Sequence, residues 1–286
     1  MRRDGFAGGA IVTANVLHVA DEPERADVWR AKRTLAREVT LIATAALLYT
    51  LVRGLTSDRI AVAFDNAEQV IAFERALGIF VEPELQGAIL GNDVLVRAVN
   101  LLYIGYWPMI MVTLGWLLVR RPAQYPRFRN AILASGALSL VIFALYPLAP
   151  PRFLPQYGFV DTVEQSASTY RTLTDPSLVN DYAAMPSLHF GWVLLLGIAL
   201  VTLARHRVTR IAGVVLPVLM FASIVLTANH YLVDGLVGGA VILFGLGVAV
   251  RLERRTGSRD RVASRADAAS APEPSDAVDE AVSSRA

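Results

Sequence analysis

The chain contains 286 residues, of which 54% are hydrophobic, and its mean hydropathy is +0.45. These values exclude an ordinary soluble domain and predict a multi-pass membrane protein. The sequence has no cysteine, which excludes disulfides and thiolate metal sites. The formal net charge of +2 is small, and we expect no nucleic-acid partner.

Apolar runs separated by polar turns predict an all-α fold, a six-span transmembrane helix bundle with interfacial amphipathic helices. Residues 57–92 contain apolar side chains interrupted by too many charges for a span, a pattern typical of helices that lie at the membrane interface. The six predicted spans cover about residues 39–55, 94–119, 132–145, 189–204, 211–227 and 230–250.

The predicted spans divide the chain into three regions. Residues 1–38 form an N-terminal segment, residues 39–252 form the membrane domain, and residues 253–286 form a tail that we expect to be disordered because it has few large apolar residues. Basic residues concentrate in alternate connections, and the positive-inside rule places these connections and both termini in the cytoplasm. We therefore predict a plasma-membrane protein with an external loop at residues 148–188.

The end of this loop carries the first chemical motif. Pro186 suits the first turn of a helix, and Ser187 and His189 follow it beside unpaired backbone N–H groups. The positive end of the helix dipole favours an anion at this position, and phosphate is the commonest one. A capped helix with a polar first turn and no ligand is the simpler interpretation of the same residues.

A second motif contains His230 and Asp234, whose spacing predicts that they share one helix face. Two apolar runs separate His189 from His230, so the chain crosses the membrane and returns to the same boundary. A carboxylate bonded to one ring nitrogen leaves the other nitrogen free as a nucleophile or base. A structural His–Asp bond at a helix end is the alternative.

Arg152 lies at the same predicted boundary, where its fork of donors could bind phosphate oxygens, although a lone interfacial Arg also serves as an anchor. His189 is a candidate general acid for a leaving group. Zinc is a competing use of two histidines and an aspartate, but a cation beside a metal is unfavourable. We therefore predict neither a metal nor a cofactor.

These motifs together resemble the type 2 phosphatidic acid phosphatase and haloperoxidase superfamily. The second motif of that superfamily, Pro-Ser-Gly-His, reads Pro-Ser-Leu-His at residues 186–189. The third motif is Ser-Arg, five residues, His, three residues and Asp. It matches at Ser223, His230 and Asp234, whereas Ile224 replaces the Arg.

The first motif, Lys, six residues and Arg-Pro, retains only Arg152, and Leu145 stands where the Lys is expected. The sequences Pro-Pro-Arg, Ala-Met-Pro-Ser-Leu-His and Asn-His-Tyr-x-x-Asp resemble the inositol phosphorylceramide synthase-like branch of the superfamily. The resemblance covers about residues 39–250. Because two cations of the usual clamp are missing, Arg171 in the predicted external loop is a candidate second clamp.

The resemblance implies a metal-independent lipid phosphatase or phosphotransferase that acts through a phosphohistidine intermediate at the external membrane face. It implies that His230 is the nucleophile, that Asp234 orients its ring and that His189 protonates the leaving oxygen. The implied partners are a membrane lipid phosphate and an acceptor, either water or an alcohol such as inositol or a sugar. A transporter or scaffold that keeps the fold without the chemistry is the alternative, and the sequence leaves the oligomeric state open. The implied phosphate-binding residues are Arg152, Ser187 and Arg171.

Overall fold

The structure is a computed structural model that describes residues 36–54 except 42, 46 and 53, together with residues 59–166 and 180–270. The chain divides into two compact units, Met1–Gly54 and Leu55–Ala286. The described residues of the first unit are helical. They fall within the predicted span at 39–55, several residues of which lie outside the described set.

The described part of the second unit is helical and contains no β-strand, as the all-α prediction requires; two short 3-10 turns, Pro151–Phe153 and Pro155–Tyr157, follow the fifth helix. The helices begin with α1 (Ile60–Ala76), α2 (Glu82–Leu90), α3 (Asp93–Ile104), α4 (Tyr106–Arg120) and α5 (Tyr125–Leu145). They continue with α6 (Thr162–Ser166), α7 (Leu188–Leu203), α8 (Arg207–Leu226) and α9 (Leu232–Ser270).

Among the described residues, three helices are long and apolar enough to cross a membrane: α5, α8 and the part of α9 at Leu232–Thr256. The pair α3 and α4 adds a fourth candidate if it is one broken span, and α7 is apolar but shorter. The described helices therefore support three to four spans rather than clearly six. Length is the physical reason, because a helix needs about 20 residues to cross the hydrocarbon core.

The bend between α3 and α4 is 46° and falls at Gly105. Pro108 lies in the first turn of α4, where it has no N–H to donate to the carbonyl of Ile104. The bend separates Tyr103 at the end of α3 from Tyr106 at the start of α4. Both of these rings reach the candidate site described below.

The described part of residues 57–92, from residue 59 onward, contains α1 and α2, and the exposed apolar residues in and beside these helices include Phe73 (52% exposed) and Leu77 (57% exposed). This pattern agrees with interfacial helices. The opposite side of the pair differs from the prediction, because it buries Glu74 and Glu82 completely instead of leaving them in water.

Buried amide side chains attach the polar loop after α5 to the neighbouring helices. Each amide NH₂ donates to a loop carbonyl at 2.7–2.8 Å, which satisfies backbone groups that would otherwise be buried without a partner. The loop is therefore a fixed part of the fold between residues 147 and 162. The pairs are Asn66 with Pro147, Gln86 with Val160, and Asn100 with Thr162.

The last helix, α9, continues to Ser270, into the region 253–286 for which composition predicted a disordered tail. The segment is rich in Arg and Ala, which have high helix propensity, and a helix already formed in α9 can be extended without a new nucleus. Residues 271–286 lie outside the described residues.

Helices α7 and α9 cross in close contact through two glycines. A Cβ at Gly191 would lie 2.8 Å from the carbonyl oxygen of Gly238, and a Cβ at Gly238 would overlap the backbone of Ser187. Only a residue without a side chain allows the two backbones to approach so closely. This contact places the start of α7 beside the first two turns of α9.

We predict that Gly238→Ala separates α7 from α9, because the new methyl group would displace the Ser187 backbone. Activity should fall by about tenfold or more, since small displacements at a reacting centre have large effects on rate. The matched control is Gly247→Ala on the same helix, where a Cβ meets nothing within 4 Å. The measurement is turnover alongside the melting temperature in detergent, and equal behaviour of the two variants would contradict the prediction.

Candidate active site

His230 lies in a buried turn between α8 and α9. The turn is closed by the N–H groups of Asn229 and His230, which donate to the carbonyl of Ile224 at 3.2 and 3.0 Å. Because α9 begins at Leu232, His230 precedes the helix, whereas the sequence predicted that it shared a helix face with Asp234. The two side chains nevertheless meet, with 3.5 Å between His230 Nδ1 and Asp234 Oδ2.

The closest partner of the His230 ring is a backbone carbonyl. Nδ1 lies 2.8 Å from the oxygen of Ala184, and a carbonyl can only accept, so Nδ1 carries the hydrogen. Nε2 then holds a lone pair, as a nucleophile requires. Ala184 therefore shares with Asp234 the orienting role that the sequence assigned to Asp234 alone.

The segment before α7 holds the Ala184 carbonyl in place. The N–H of Leu148 donates to the carbonyl of Tyr182 at 2.8 Å, and the N–H of Ala184 donates back to Leu148 at 3.2 Å. An isolated β-bridge between Leu148 and Ala183 results. The two ends of the polar loop, 148–152 and 180–188, are thereby joined next to His230.

His189 lies in the first turn of α7 and faces His230. Its Nδ1 is 3.4 Å from His230 Nε2, so the two histidines converge as the sequence predicted. The ring of Tyr103 stacks on His189 with centroids 4.3 Å apart, and the ring of Tyr106 lies 4.0 Å away. These aromatic rings hold His189 against the site from the side of the α3–α4 bend.

Ser187 is the N-cap of α7, and its Oγ accepts from the N–H of Phe190 at 3.5 Å. Pro186 therefore precedes the N-cap. The sequence had suggested instead that Pro186 lies in the first turn of the helix. Ser187 is fully buried, and its own N–H donates to the carbonyl of Asp234 at 3.0 Å. The two motifs are thus joined through their backbones.

Arg152 is linked to the His230 turn at two points. Its N–H donates to the carbonyl of Ala228 at 2.7 Å, and its Nη1 donates to Asn229 Oδ1 at 2.6 Å. Two further nitrogens of the guanidinium lie beside carboxylates, Nη2 at 3.2 Å from Asp181 Oδ1 and Nε at 3.4 Å from Asp161 Oδ2. A phosphate that bound to Arg152 would therefore compete with these two aspartates.

The other positions of the predicted clamp are not part of this cluster. Arg171 lies outside the described residues. Leu145 ends α5 and is 74% exposed. Ile224 is fully buried and packs with Val193 and Met220, in an apolar cluster where a cation would be unfavourable.

Three carboxyl groups cover the N-terminus of α9. Asp234 Oδ2 accepts the N–H of Tyr231 at 3.1 Å, a contact of the capping-box type. Glu82 Oε1 accepts the N–H of Leu232 at 3.0 Å, and Glu74 Oε1 accepts the N–H of Val233 at 2.9 Å. Tyr231 immediately precedes α9, and Leu232 and Val233 lie in its first turn, so no carbonyl of the helix is available to accept from these N–H groups.

Several residues of the site were not predicted from the sequence. Asn229 adjoins His230 in the Asn-His-Tyr motif, which was the available signal for it. The two tyrosines lay within the predicted span 94–119, and the two glutamates lay in the region 57–92 that was predicted to form interfacial amphipathic helices. The missed residues are Asn229, Ala184, Tyr103, Tyr106, Glu74 and Glu82.

No group of three or more His, Cys, Asp or Glu side chains among the described residues is arranged to hold a metal ion. The arrangement instead combines a lone-pair imidazole nitrogen, a second imidazole and a guanidinium. That set of groups is suited to nucleophilic attack on phosphorus with an acid at the leaving group.

A family model described as the PAP2 superfamily matches residues 68–248 of the chain. The match spans α1 to α9 and includes both histidine motifs, together with the bend that carries the two tyrosines. No curated protein and no solved structure matches the chain.

We predict that Asn229→Ala raises the KM for a phosphate ester by about tenfold, because a hydrogen bond to a charged group is worth about 1.5–3 kcal/mol. The change removes the acceptor that fixes Arg152 Nη1. Asn92→Ala is the control, since it removes a helix cap remote from His230 and should lower stability alone. Steady-state kinetics of both variants decide the matter, and an unchanged KM in Asn229→Ala would contradict the role given to Asn229.

Proposed function

Because the chain belongs to the PAP2 superfamily, we propose that it is a membrane enzyme that cleaves a lipid-linked phosphate ester through a phosphohistidine intermediate on His230. Its apolar helices fit a membrane lipid phosphatase. The observation that carries the proposal is the convergence of His230 Nε2 and His189 Nδ1, 3.4 Å apart, with His230 Nδ1 held by the Ala184 carbonyl.

In the first step, His230 Nε2 attacks the phosphorus and the bond from phosphorus to the lipid oxygen breaks. His189 in its protonated form gives its proton to that oxygen, so the lipid leaves as a neutral alcohol. The positive charge that develops on the His230 ring is stabilised by the Ala184 carbonyl and by the Asp234 carboxylate.

In the second step, an acceptor hydroxyl attacks the phosphohistidine. Neutral His189 takes the acceptor proton, a new phosphorus–oxygen bond forms and the phosphorus–nitrogen bond breaks. Both histidines return to their starting states. Water as acceptor gives hydrolysis, whereas an alcohol such as inositol or a sugar gives phosphotransfer.

Arg152, Ser187 and Arg171 hold the phosphate oxygens in this proposal, together with N–H groups in the first turn of α7. Two cations of the usual clamp are absent, and Arg152 already faces two aspartates. Such a site suits a singly charged phosphodiester better than a doubly charged monoester. Head-group transfer from a phosphodiester lipid is therefore at least as favourable as hydrolysis, in agreement with the inositol phosphorylceramide synthase-like motifs.

The membrane orientation is part of the same proposal. Basic connections place both termini in the cytoplasm and the loop 148–188 outside, so the site opens at the external face of the plasma membrane. The exposed apolar side of α1 and α2 would lie in the interface, close to the lipid head groups.

The role of His189 predicts a dependence on the leaving group. His189→Ala should slow release of a lipid alcohol by about 10²–10⁴-fold, the usual contribution of general acid catalysis. The same variant should slow release of nitrophenolate far less, because that leaving group needs no proton. Single-turnover rates on both substrates provide the measurement, and equal losses would contradict the acid role.

The small number of cations at the site predicts which kind of lipid donates the phosphoryl group. With a phosphodiester lipid and a monoester lipid at equal concentration, we expect turnover of the diester to dominate. Added inositol should yield a product that retains the acceptor, detected by mass spectrometry of the lipid and aqueous phases. A strong preference for the monoester without such a product would leave a plain phosphatase, and no turnover of either lipid would favour a transporter or scaffold.

A further inference from the structure

The reaction described above leaves two buried acids unused. Glu74 near the end of α1 and Glu82 at the start of α2 are both completely buried. Carboxyl groups are seldom buried so fully without a specific partner, because the charged form loses its hydration. Their partners are the first backbone N–H groups of α9.

Each acid accepts a hydrogen bond from a backbone N–H group of α9 through one of its carboxyl oxygens. Glu74 Oε1 accepts from Val233 N at 2.9 Å, and Glu82 Oε1 accepts from Leu232 N at 3.0 Å. Leu232 and Val233 lie between His230 and Asp234 in the sequence. The two acids are therefore attached to the short segment that joins the proposed nucleophile to its orienting carboxylate.

The two carboxyl groups lie side by side, because the N–H groups that they accept from belong to the consecutive residues Leu232 and Val233. Glu74 Oε2 and Glu82 Oε2 are buried and receive no hydrogen bond from any donor group in the described part of the chain. The two carboxyl groups lie within hydrogen-bonding reach of each other. Two carboxylates could not bond to each other, whereas a proton on one of them would satisfy both oxygens.

We propose that Glu74 and Glu82 share a single proton and act together as positioning residues, which fix the N-terminus of α9 and through it Asp234 and His230. The catalytic part of this inference rests on the proposed function. The pair keeps both backbone contacts while adding only one negative charge to that of Asp234. Two separate carboxylates would add two charges at the same place.

The titration of the pair follows from its surroundings. Burial, aided by the hydrogen bond to Glu82, raises the pKa of Glu74 to about 9. Glu82 faces it from α2, and Asp234 and Tyr231 face it from the start of α9. The proton is therefore present at neutral pH. Because the pKa is raised, the stabilising contribution falls as the pH increases and is lost once the pH passes about 9.

Glutamine variants distinguish two possibilities: that Glu74 and Glu82 share a proton, or that both side chains must be negatively charged. In Glu74→Gln or Glu82→Gln alone, the amide oxygen still accepts the α9 N–H and the amide NH₂ donates to the remaining carboxylate. Each single variant should therefore keep turnover and melting temperature close to those of the unmodified chain. In the double variant two NH₂ groups face each other, and turnover should fall by about tenfold or more.

The control is Glu84→Gln, which changes an exposed acid on the same helix as Glu82. It should resemble the unmodified chain at every pH. The melting temperature of the unmodified chain should fall as the pH rises towards about 9, the pKa of Glu74, and its activity should fall as the pH passes that value. Both single glutamine variants should keep them to higher pH, because they have no shared proton to lose.

The inference is wrong if the double variant matches the single ones, or if either single variant loses as much as the double. It is also wrong if the loss at high pH persists unchanged in both single variants. Melting temperatures decide these outcomes without any assay of turnover. An unmodified chain that turns over no lipid phosphate would therefore reject the proposed function while the proton-sharing pair is still tested.

Discussion

The contact between α7 and α9 is the constraint on which the candidate site depends. The two backbones approach closely because Gly191 and Gly238 have no side chains at the crossing point. Ser187 N then reaches the Asp234 carbonyl, and the Ala184 carbonyl reaches the His230 ring. Two motifs more than 40 residues apart in sequence thereby form one group of reactive side chains.

Helix dipoles explain how buried acids and the proposed phosphate site can lie close together. The first N–H groups of α9 are occupied by Asp234, Glu82 and Glu74. These acids neutralise the positive end of α9 next to the proposed nucleophile. In our proposal the start of α7 serves the substrate instead, with Arg152 supplying the cation.

The sequence was informative where reactive side chains stand at the ends of apolar runs. The histidine pair and Asp234 could be predicted because apolar runs of membrane length return the chain to the same boundary, and the described helices bring these residues together. The burial of the two acids could not be predicted. In an amphipathic pattern Glu74 resembles a solvent-exposed residue, and its partner, the N–H of Val233, lies far away in the sequence. The number of spans was also beyond the sequence, because hydropathy does not show that α7 is short or that α3 and α4 are bent.

The central claim is that His230 forms a covalent bond to phosphorus, and trapping of that bond tests it most directly. Rapid quenching of the protein with a lipid carrying labelled phosphorus should leave label that is stable in alkali and labile in acid. Peptide mass spectrometry should place it on His230, and His230→Ala should retain none while keeping its melting temperature. Turnover without any labelled histidine, or label that persists in His230→Ala, would contradict the account.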